Sequence, residues 1–326
     1  MRSRRGVVAV MLTAAALVGG CTHEAPPPMP TKTAKYTEPP LPAKAVPVLT
    51  DSPIPAPGPQ PCGDPTASLR PTGAGASAHG PTIDAIRARG RLLVGLDAGS
   101  NLFSFRDPVS GAIVGFDADI AREIARDLLG SPDLIEYRSL GSADREHALQ
   151  NRIVDIVAKT MTITCERRQK VTFSTVYLRS NQRVLAMKNS GINGIADLAG
   201  KRVCVVRGTT SLDHIRHDQP AATVLTVPTW ADCLVVLQQR QVDAVSTDDS
   251  ILAGLAAQDP YTQVVGESIS VEPYGIGIPK GDDDMVRFVN GTLERIRNDG
   301  TWDRIHRQWL TVLGPSPGPP APNYLD

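Results

Sequence analysis

The chain has 326 residues, of which 41% are hydrophobic and 21% are charged, a balance typical of a globular protein long enough for two lobes. Lys plus Arg and Asp plus Glu each number 34, so the formal net charge is zero, which argues against broad nucleic-acid binding. Aromatic residues make up only 4%, which argues against extended stacking surfaces for carbohydrate or single-stranded nucleic acid.

The N-terminus has the parts of a secretory signal. Arg2, Arg4 and Arg5 form a basic segment, residues 7–18 are apolar, and two glycines directly precede Cys21. The pattern resembles a bacterial lipobox, which implies removal of residues 1–20 and lipid attachment at Cys21. A plain signal peptide with a chance cysteine, or an uncleaved anchor, is the alternative, although the apolar run is short for a membrane span. We therefore expect an extracytoplasmic protein, anchored by lipid to the outer face of the cell membrane, on the periplasmic side.

Three segments flank the folded part. Residues 21–61 are rich in Pro, Ala and Thr without a hydrophobic period, which predicts an extended tether that reaches on the order of 100 Å. Residues 62–82 are predicted to pack as an irregular N-terminal extension. Residues 314–326 are again Pro-rich and are predicted to be an extended tail.

Between these segments, predicted strands and helices alternate, which indicates an α/β architecture with mainly parallel pairing. In one helix, Ile120, Ile124 and Leu128 form an apolar stripe. Asp117 is predicted to cap this helix and Gly130 to end it.

The stretch 155–174 carries the strongest indication of a site. A buried strand at 156–158 is followed by the hydroxyls of Thr160, Thr162 and Thr164, and then by Arg167. Hydroxyls and a guanidinium at the end of a strand predict a small-anion pocket at a sheet edge.

Five blocks in a fixed order resemble the family 3 extracellular solute-binding proteins, the polar amino-acid receptors of ABC importers. They are GFDADIA from Gly115, TITCERRQKVTFS from Thr162, GKRVCVVRGTTS from Gly200, VDAVSTD from Val242 and VEPYGIGIPKGD from Val271. The chain departs from the family pattern at Ala118, where a branched apolar residue is usual, and at Cys165, where proline is common. Within the family, the blocks are most similar to glutamine- and glutamate-binding lipoproteins of mycobacteria and other actinobacteria.

The resemblance implies a two-lobed periplasmic-binding-protein fold of type II, with two crossover hinge strands and closure of the lobes on the ligand. Lobe one is expected at 83–180 and 272–313, and lobe two at 181–271. The implied partners are a free amino acid and a membrane permease, and the protein is expected to be a monomer.

The resemblance also implies roles for individual residues. Arg167 would bind the ligand's carboxylate with its two parallel donors, together with amides and hydroxyls of Gly208, Thr209 and Thr210. Asp248 would accept hydrogen bonds from the ammonium group, aided by oxygens of Thr160 and Thr162. Phe103 would cover the aliphatic part of the ligand, with core packing as the alternative.

Selectivity is predicted from two further residues. Lys159 stands where many relatives have a small residue, and a buried cation there would favour an acidic ligand. Asp97 ends a strand and would reach the pocket mouth. We expect a preference for Glu, Asp, Gln or Asn over basic or aliphatic amino acids.

The four cysteines other than Cys21 allow three pairings in an oxidising compartment. Cys204 and Cys233 are expected on adjacent elements of lobe two, which leaves Cys62 with Cys165. A zinc site is the alternative, although no CxxC motif or histidine cluster supports one.

Two other functions are compatible with this fold. The same binding could report amino acids to a membrane sensor protein instead of feeding a permease. An enzyme on the same fold would need an acid or base in the cleft, for which His214 and His217 are the only nearby candidates. We expect no catalytic residue, metal or cofactor.

Overall fold

The computed structural model describes residues 37–48, 62–72 and 77–325. Every helix and strand of these residues lies in the unit Pro39–Asp326, and only residues 37 and 38 of the other unit, Met1–Glu38, are described. The predicted signal peptide, Cys21 and most of the tether therefore lie outside the described residues. No helix in the described ranges is long and apolar enough to cross a membrane.

Strands and helices alternate along the chain. The strands are β1 (Val46–Pro47), β2 (Leu92–Leu96), β3 (Gly99–Ser100), β4 (Ser104–Arg106), β5 (Ile113–Val114), β6 (Ile135–Ser139), β7 (Ile156–Val157), β8 (Thr172–Phe173), β9 (Leu178–Met187), β10 (Arg202–Val206), β11 (Thr223–Val227), β12 (Ala244–Asp248), β13 (Thr262–Tyr274) and β14 (Gly277–Ile278). The α-helices are α1 (Pro81–Arg89), α2 (Phe116–Leu129), α3 (Arg145–Gln150), α4 (Cys165–Lys170), α5 (Thr210–Asp218), α6 (Trp230–Gln238), α7 (Asp249–Ala256), α8 (Asp283–Asn298) and α9 (Thr301–Trp309). Short 3-10 turns occupy Ser142–Asp144, Ile195–Leu198 and Thr311–Leu313.

The strands form two larger sheets and a small one. The first has the order β6-β2-β7-β14-β8, with β2 parallel to β6 and β7. The second has the order β1-β11-β10-β12-β9-β13, with β10 parallel to β11 and β12. Strands β3, β4 and β5 form the small sheet. Because parallel strands need crossover helices, this topology follows from the predicted alternation of elements, and it confirms the α/β class.

Two long antiparallel strands, β9 and β13, connect the two larger sheets. They pair along the second sheet, with a register shift between Val265 and Ser270. At the end of β13, the chain reaches the first sheet, where Ile163 N donates to Pro273 O at 2.8 Å and Gly275 N to Met161 O at 3.0 Å. These strands are the predicted crossovers. The predicted limits of the two lobes stay a prediction.

Helix α2 has the predicted buried stripe and C-terminal glycine, but its N-cap differs from the prediction. Its apolar stripe is buried, and Gly130 ends it in the left-handed conformation at φ 80°. Its N-cap is Gly115, without a side-chain cap bond. Asp117 was wrongly predicted as the cap, because its buried carboxylate instead accepts hydrogen bonds from Thr160 N at 3.0 Å and from the Tyr177 hydroxyl at 2.7 Å.

Part of the predicted tether is a strand. Val46 and Pro47 pair antiparallel with β11, Val48 N donates to Val224 O at 2.8 Å, and Thr226 Oγ1 donates to Val46 O at 2.8 Å. The expectation of a wholly unpaired tether is therefore wrong here. The free backbone groups of an edge strand accept an added strand, and proline is tolerated at such an edge.

The N-terminal extension packs on the first sheet together with the C-terminal tail. Ser68 Oγ donates to Phe173 O at 2.7 Å, Ser68 N donates to Asn323 O at 3.0 Å, and Leu325 N donates to Ser68 O at 2.9 Å. The tail was predicted to be merely extended, but its end forms a parallel bridge to the extension. Unpaired backbone groups of two irregular segments thereby satisfy each other.

Two disulfides join elements that are distant in sequence. Cys62 is bonded to Cys165 at the start of α4, and Cys204 on β10 is bonded to Cys233 on α6. The second bond is fully buried. Within the described ranges, no group of three or more His, Cys, Asp or Glu side chains is arranged to hold a metal ion.

Candidate functional site

A small polar cavity of about 10 Å³ lies between the ends of the two larger sheets. Twelve residues line it: Ser142, Arg145, Thr160, Thr162, Arg167, Thr209, Thr210, Ser211, Trp230, Thr247, Asp248 and Ile251. Six of them were predicted from the sequence as binding residues, and they come from both halves of the chain. Gly208 borders the adjoining groove.

Arg167 is buried beside this cavity by the start of α4. The Thr164 hydroxyl caps the helix by accepting from Arg167 N at 3.1 Å. The guanidinium donates to Thr162 O at 2.7 Å and to Gly208 O at 3.2 Å, and Glu146 lies 3.6 Å from Nε. Burial lowers the pKa of Arg167, and the negative charge of Glu146 opposes this. The group therefore remains a cation with a fixed orientation.

Arg145, at the first turn of α3, is a second buried guanidinium that the sequence analysis missed. It donates to Ser142 O at 2.9 Å, to Lys159 O at 3.0 Å and to Gly208 O at 3.1 Å. Burial lowers its pKa to about 9, with the positive charge of Arg167 as the next cause. Among the described residues, none of the ion pairs involves Arg145, so its charge is available to a ligand.

Asp248 ends β12 as a buried carboxylate with one oxygen in use. Oδ2 accepts a short hydrogen bond from the Tyr274 hydroxyl, whereas Oδ1 has no hydrogen-bond partner among the described residues. Burial, followed by the nearby charge of Glu272, raises the pKa of Asp248 to about 8. A buried, unpaired acceptor in a cavity wall is costly unless a donor from a ligand satisfies it.

Glu272 on β13 is the other group that the sequence analysis missed. Its buried carboxylate accepts from the hydroxyls of Thr162 and Thr210 at 2.8 Å each and from that of Ser270 at 2.5 Å. His214 Nε2 lies 3.5 Å away, and this contact raises the pKa of His214. Burial alone would raise the pKa of Glu272, but these hydrogen bonds outweigh it and hold the pKa below its usual value.

The hydroxyls of the Gly208–Thr210 turn do not behave as predicted. The sequence analysis expected them to donate to a carboxylate, but Thr209 Oγ1 donates to Val206 O at 2.6 Å and Thr210 Oγ1 donates to Glu272. Their protons are thus already used. The amides at the start of α5 remain the donors that this turn offers to an anion.

Thr160 lies in a strained backbone conformation, with φ at +38°. Its amide donates to Asp117, which fixes the turn that leads from β7 into the site. Burial raises the pKa of Asp117 to about 6, and the bond from the Tyr177 hydroxyl opposes this. The strain is therefore held in place by a buried hydrogen-bonded network.

Besides Gly208, three predicted site residues do not line the cavity. Lys159 and Asp97 are buried and form an ion pair with each other at 2.8 Å. Burial lowers the pKa of Lys159, and Asp97 neutralises its charge. Phe103 is fully buried and packs edge-to-face on Phe116 and Tyr274, which agrees with the core-packing alternative.

Gly208 brings the two halves of the site together. Its φ is +72°, and a Cβ atom added there would lie 2.5 Å from Ala143 Cα on the opposite side. Only glycine allows this approach without strain, and its carbonyl can then accept from both guanidinium groups.

We expect Gly208→Ala to weaken binding of the ligand by about 10- to 100-fold, because the added methyl group would clash with Ala143 and make the arrangement in which the two halves of the site meet a minor population. Titration calorimetry measures the loss, and small-angle scattering should show a more open protein. Gly90→Ala is the matched control, since Gly90 has φ +76° but nothing within 4 Å of the added Cβ. Wild-type affinity in Gly208→Ala would contradict the assignment of this glycine to closure.

The fold agrees with the comparisons to known proteins. The chain belongs to the bacterial extracellular solute-binding proteins, family 3, whose model matches residues 92–312. It is 36% identical over 230 residues to the ABC transporter glutamine-binding protein GlnH of Bacillus subtilis, covering 70% of this chain and 84% of that protein. It is 32% identical over 251 residues to the glutamate-binding protein GluB of Corynebacterium efficiens, covering 73% and 85%. The crystal structure of a solute receptor for L-cysteine from Neisseria gonorrhoeae superposes with a TM-score of 0.69 at 28% identity, covering 72% and 96%.

Proposed function

We propose that the protein is a receptor that binds a free polar amino acid, Glu, Asp, Gln or Asn, and delivers it to an ABC importer. One observation carries the proposal. Two arginines, Arg145 and Arg167, line the same cavity as Asp248, whose buried Oδ1 has no partner among the described residues. A free amino acid supplies the complementary groups, a carboxylate and an ammonium.

Each ligand group has its partners in this arrangement. The α-carboxylate binds Arg167 and the amides at the start of α5, and the ammonium group donates to Asp248. Arg145 is then left for the ligand's side chain. Because Lys159 is neutralised by Asp97, Arg145 takes over the role in selectivity that the sequence analysis gave to Lys159. An acidic side chain is therefore favoured over an amide.

The test compares ligands in a single variant. We expect Arg145→Met to weaken binding of Glu and Asp by about 10- to 100-fold more than binding of Gln and Asn, since a hydrogen bond to a charged group contributes about 1.5–3 kcal/mol. Titration calorimetry over these four amino acids, with Arg, His and Leu as comparison, measures the ratio. Any general effect of the variant on folding cancels in that ratio.

Arg138→Met, a change at an exposed arginine on β6, is the control and should leave all affinities unchanged. Equal losses for acidic and amide ligands in Arg145→Met would contradict the role of Arg145. Tight binding of Arg, His or Leu by the wild-type protein, without a response to the four polar ligands, would overturn the proposed function.

The remaining parts of the proposal concern place and partner. We propose that lipid on Cys21 anchors the protein to the outer face of the membrane, where it acts as a monomer with a permease. The lipobox-like sequence before Cys21 supports the anchor. The Bacillus relative, a glutamine-binding protein of an ABC transporter, supports the permease as partner. The binding functions of the relatives support a receptor over an enzyme.

A further inference from the structure

Glu272 connects hydroxyl groups from both halves of the binding site. It lies on the crossover strand β13, and its side chain is 1% exposed. Oε2 accepts from Thr162, which precedes α4, and also from Thr210, the first residue of α5. Oε1 accepts from Ser270. One buried carboxylate therefore fixes the direction of two hydroxyl protons, one on each wall of the cavity.

The direction of these hydrogen bonds has a chemical consequence. A hydroxyl has one proton and two lone pairs, and an ionised carboxylate can only accept. Since Thr162 and Thr210 both give their protons to Glu272, their oxygens offer only lone pairs to the cavity that they line. Such oxygens attract an ammonium group, which has three donors and no acceptor, and they repel a carboxylate.

The two threonines also have other contacts in the site. The carbonyl of Thr162 accepts from Arg167, so its hydroxyl and its carbonyl serve opposite ends of the ligand. Thr210 lies in the same wall as Asp248, whose free oxygen also calls for a donor. Both walls of the cavity therefore offer acceptors, Thr162 on one and Thr210 with Asp248 on the other.

We infer that Glu272 is a positioning residue that fixes the Thr162 and Thr210 hydroxyls as acceptors for the ligand's ammonium group. This inference rests on the proposed function, because it assigns that ligand an ammonium group in this cavity. It predicts that the side chain of Glu272 contributes to affinity only for ligands that carry this group.

The test uses Glu272→Gln and two ligands, glutamate and glutarate, which differ only in the ammonium group. Ser270 Oγ donates to Oε1 and His214 Nε2 lies 3.5 Å from it, so the carbonyl oxygen of glutamine stays on that side and its amide group faces Thr162 and Thr210. The amide then donates to both hydroxyls, which are free to point their protons into the cavity. We expect affinity for glutamate to fall about 10- to 100-fold, and affinity for glutarate to change less than about threefold. Glu267→Gln, the same change at an exposed position of β13, should alter neither affinity.

A double-mutant cycle that needs only glutamate provides the second measurement. In a Thr162→Val, Thr210→Val background, Glu272→Gln should change affinity by less than about threefold, because the hydroxyls through which it acts are gone. A full loss there, or equal losses for glutamate and glutarate in Glu272→Gln, would assign Glu272 a merely structural role and overturn the inference. If Glu272→Gln does not fold, the Thr162→Val, Thr210→Val variant is compared with the wild type for both ligands. A loss of affinity for glutamate alone supports the inference, and an equal loss for glutamate and glutarate overturns it.

The outcomes also separate this inference from the proposed function. If the wild-type protein binds none of Glu, Asp, Gln and Asn, both are wrong. If it binds glutamate and Glu272→Gln behaves like Glu267→Gln, only the inference about Glu272 is wrong.

Discussion

Replacing Arg167 by alanine is expected to weaken amino-acid binding by about 10²- to 10⁴-fold. The guanidinium would form two parallel hydrogen bonds to the α-carboxylate, and hydrogen bonds to charged groups contribute about 1.5–3 kcal/mol each. Its fixed orientation, held by Thr162 O and Gly208 O, reduces the entropy lost on binding. Titration calorimetry with glutamate measures the effect.

The adjacent arginine provides the matched control. Arg168 lies on the same helix but donates to Pro65 O at 2.9 Å and to Ala67 O at 2.7 Å, so it holds the N-terminal extension. We expect Arg168→Ala to lower the free energy of unfolding by about 1–3 kcal/mol while binding persists, because a partly buried charged donor is lost.

Arg167→Ala should have the reverse profile, with nearly complete loss of binding. The change in unfolding of the free protein should be small, because relief of the repulsion between Arg167 and Arg145 offsets the hydrogen bonds that are lost. Thermal unfolding of both variants, with and without glutamate, distinguishes the two roles. If Arg167→Ala unfolds far below the wild type while its remaining affinity is high, Arg167 is a structural arginine.

Much of the fold could be predicted, because it depends on local patterns. Buried strands followed by amphipathic helices require a layered α/β arrangement, and the stripe at Ile120, Ile124 and Leu128 lies where its period places it. Strand β1 could not be predicted. Val46 and Pro47 have no period of their own, and they form a strand only because the edge of β11 offers backbone partners.

Arg167 and Asp248 could be predicted as site residues because each lies in a family motif and its charge complements a group of a free amino acid. Their binding roles stay predictions. Arg145 was missed because a charged residue at a helix start is usually solvated. Its position on the same helix face as Ala148 and Leu149, both buried, was the available indication. The pairing of Lys159 with Asp97 could not be foreseen, since it depends on how two distant strand ends meet.

The binding of the amino acid is expected to release a proton from Asp248. Burial raises the pKa of this carboxyl to about 8, so in the free protein it is mostly protonated at pH 6–7. An ammonium group beside it favours the ionised form. Affinity should therefore rise with pH between about pH 6 and 7.5, by up to about tenfold per pH unit, because up to one proton leaves on binding.

The effect of this group on folding has the opposite sign. Its pKa is raised above the unfolded value of 3.8, so the protonated folded form is favoured at low pH. The free energy of unfolding of the free protein should fall as the pH rises from about 4 to 8, since the unfolded state ionises first. Asp248→Asn removes the ionisation and should flatten this slope.

Calorimetry in buffers of different ionisation enthalpy counts the released protons directly. We expect Asp248→Asn to bind glutamate about 10²- to 10³-fold more weakly, because the ammonium group loses its charged partner, and to release no proton. Asp249→Asn is the matched control, since Asp249 instead accepts from Ser180 Oγ at 2.6 Å and Asn181 N at 3.1 Å and does not line the cavity. Because the charge of Asp249 contributes to the raised pKa of Asp248, this variant should still release a proton, with its pH dependence moved to slightly lower pH. Proton release that persists in Asp248→Asn would mean that another group titrates. A wild-type affinity that does not depend on pH would show that Asp248 is already ionised before the ligand binds.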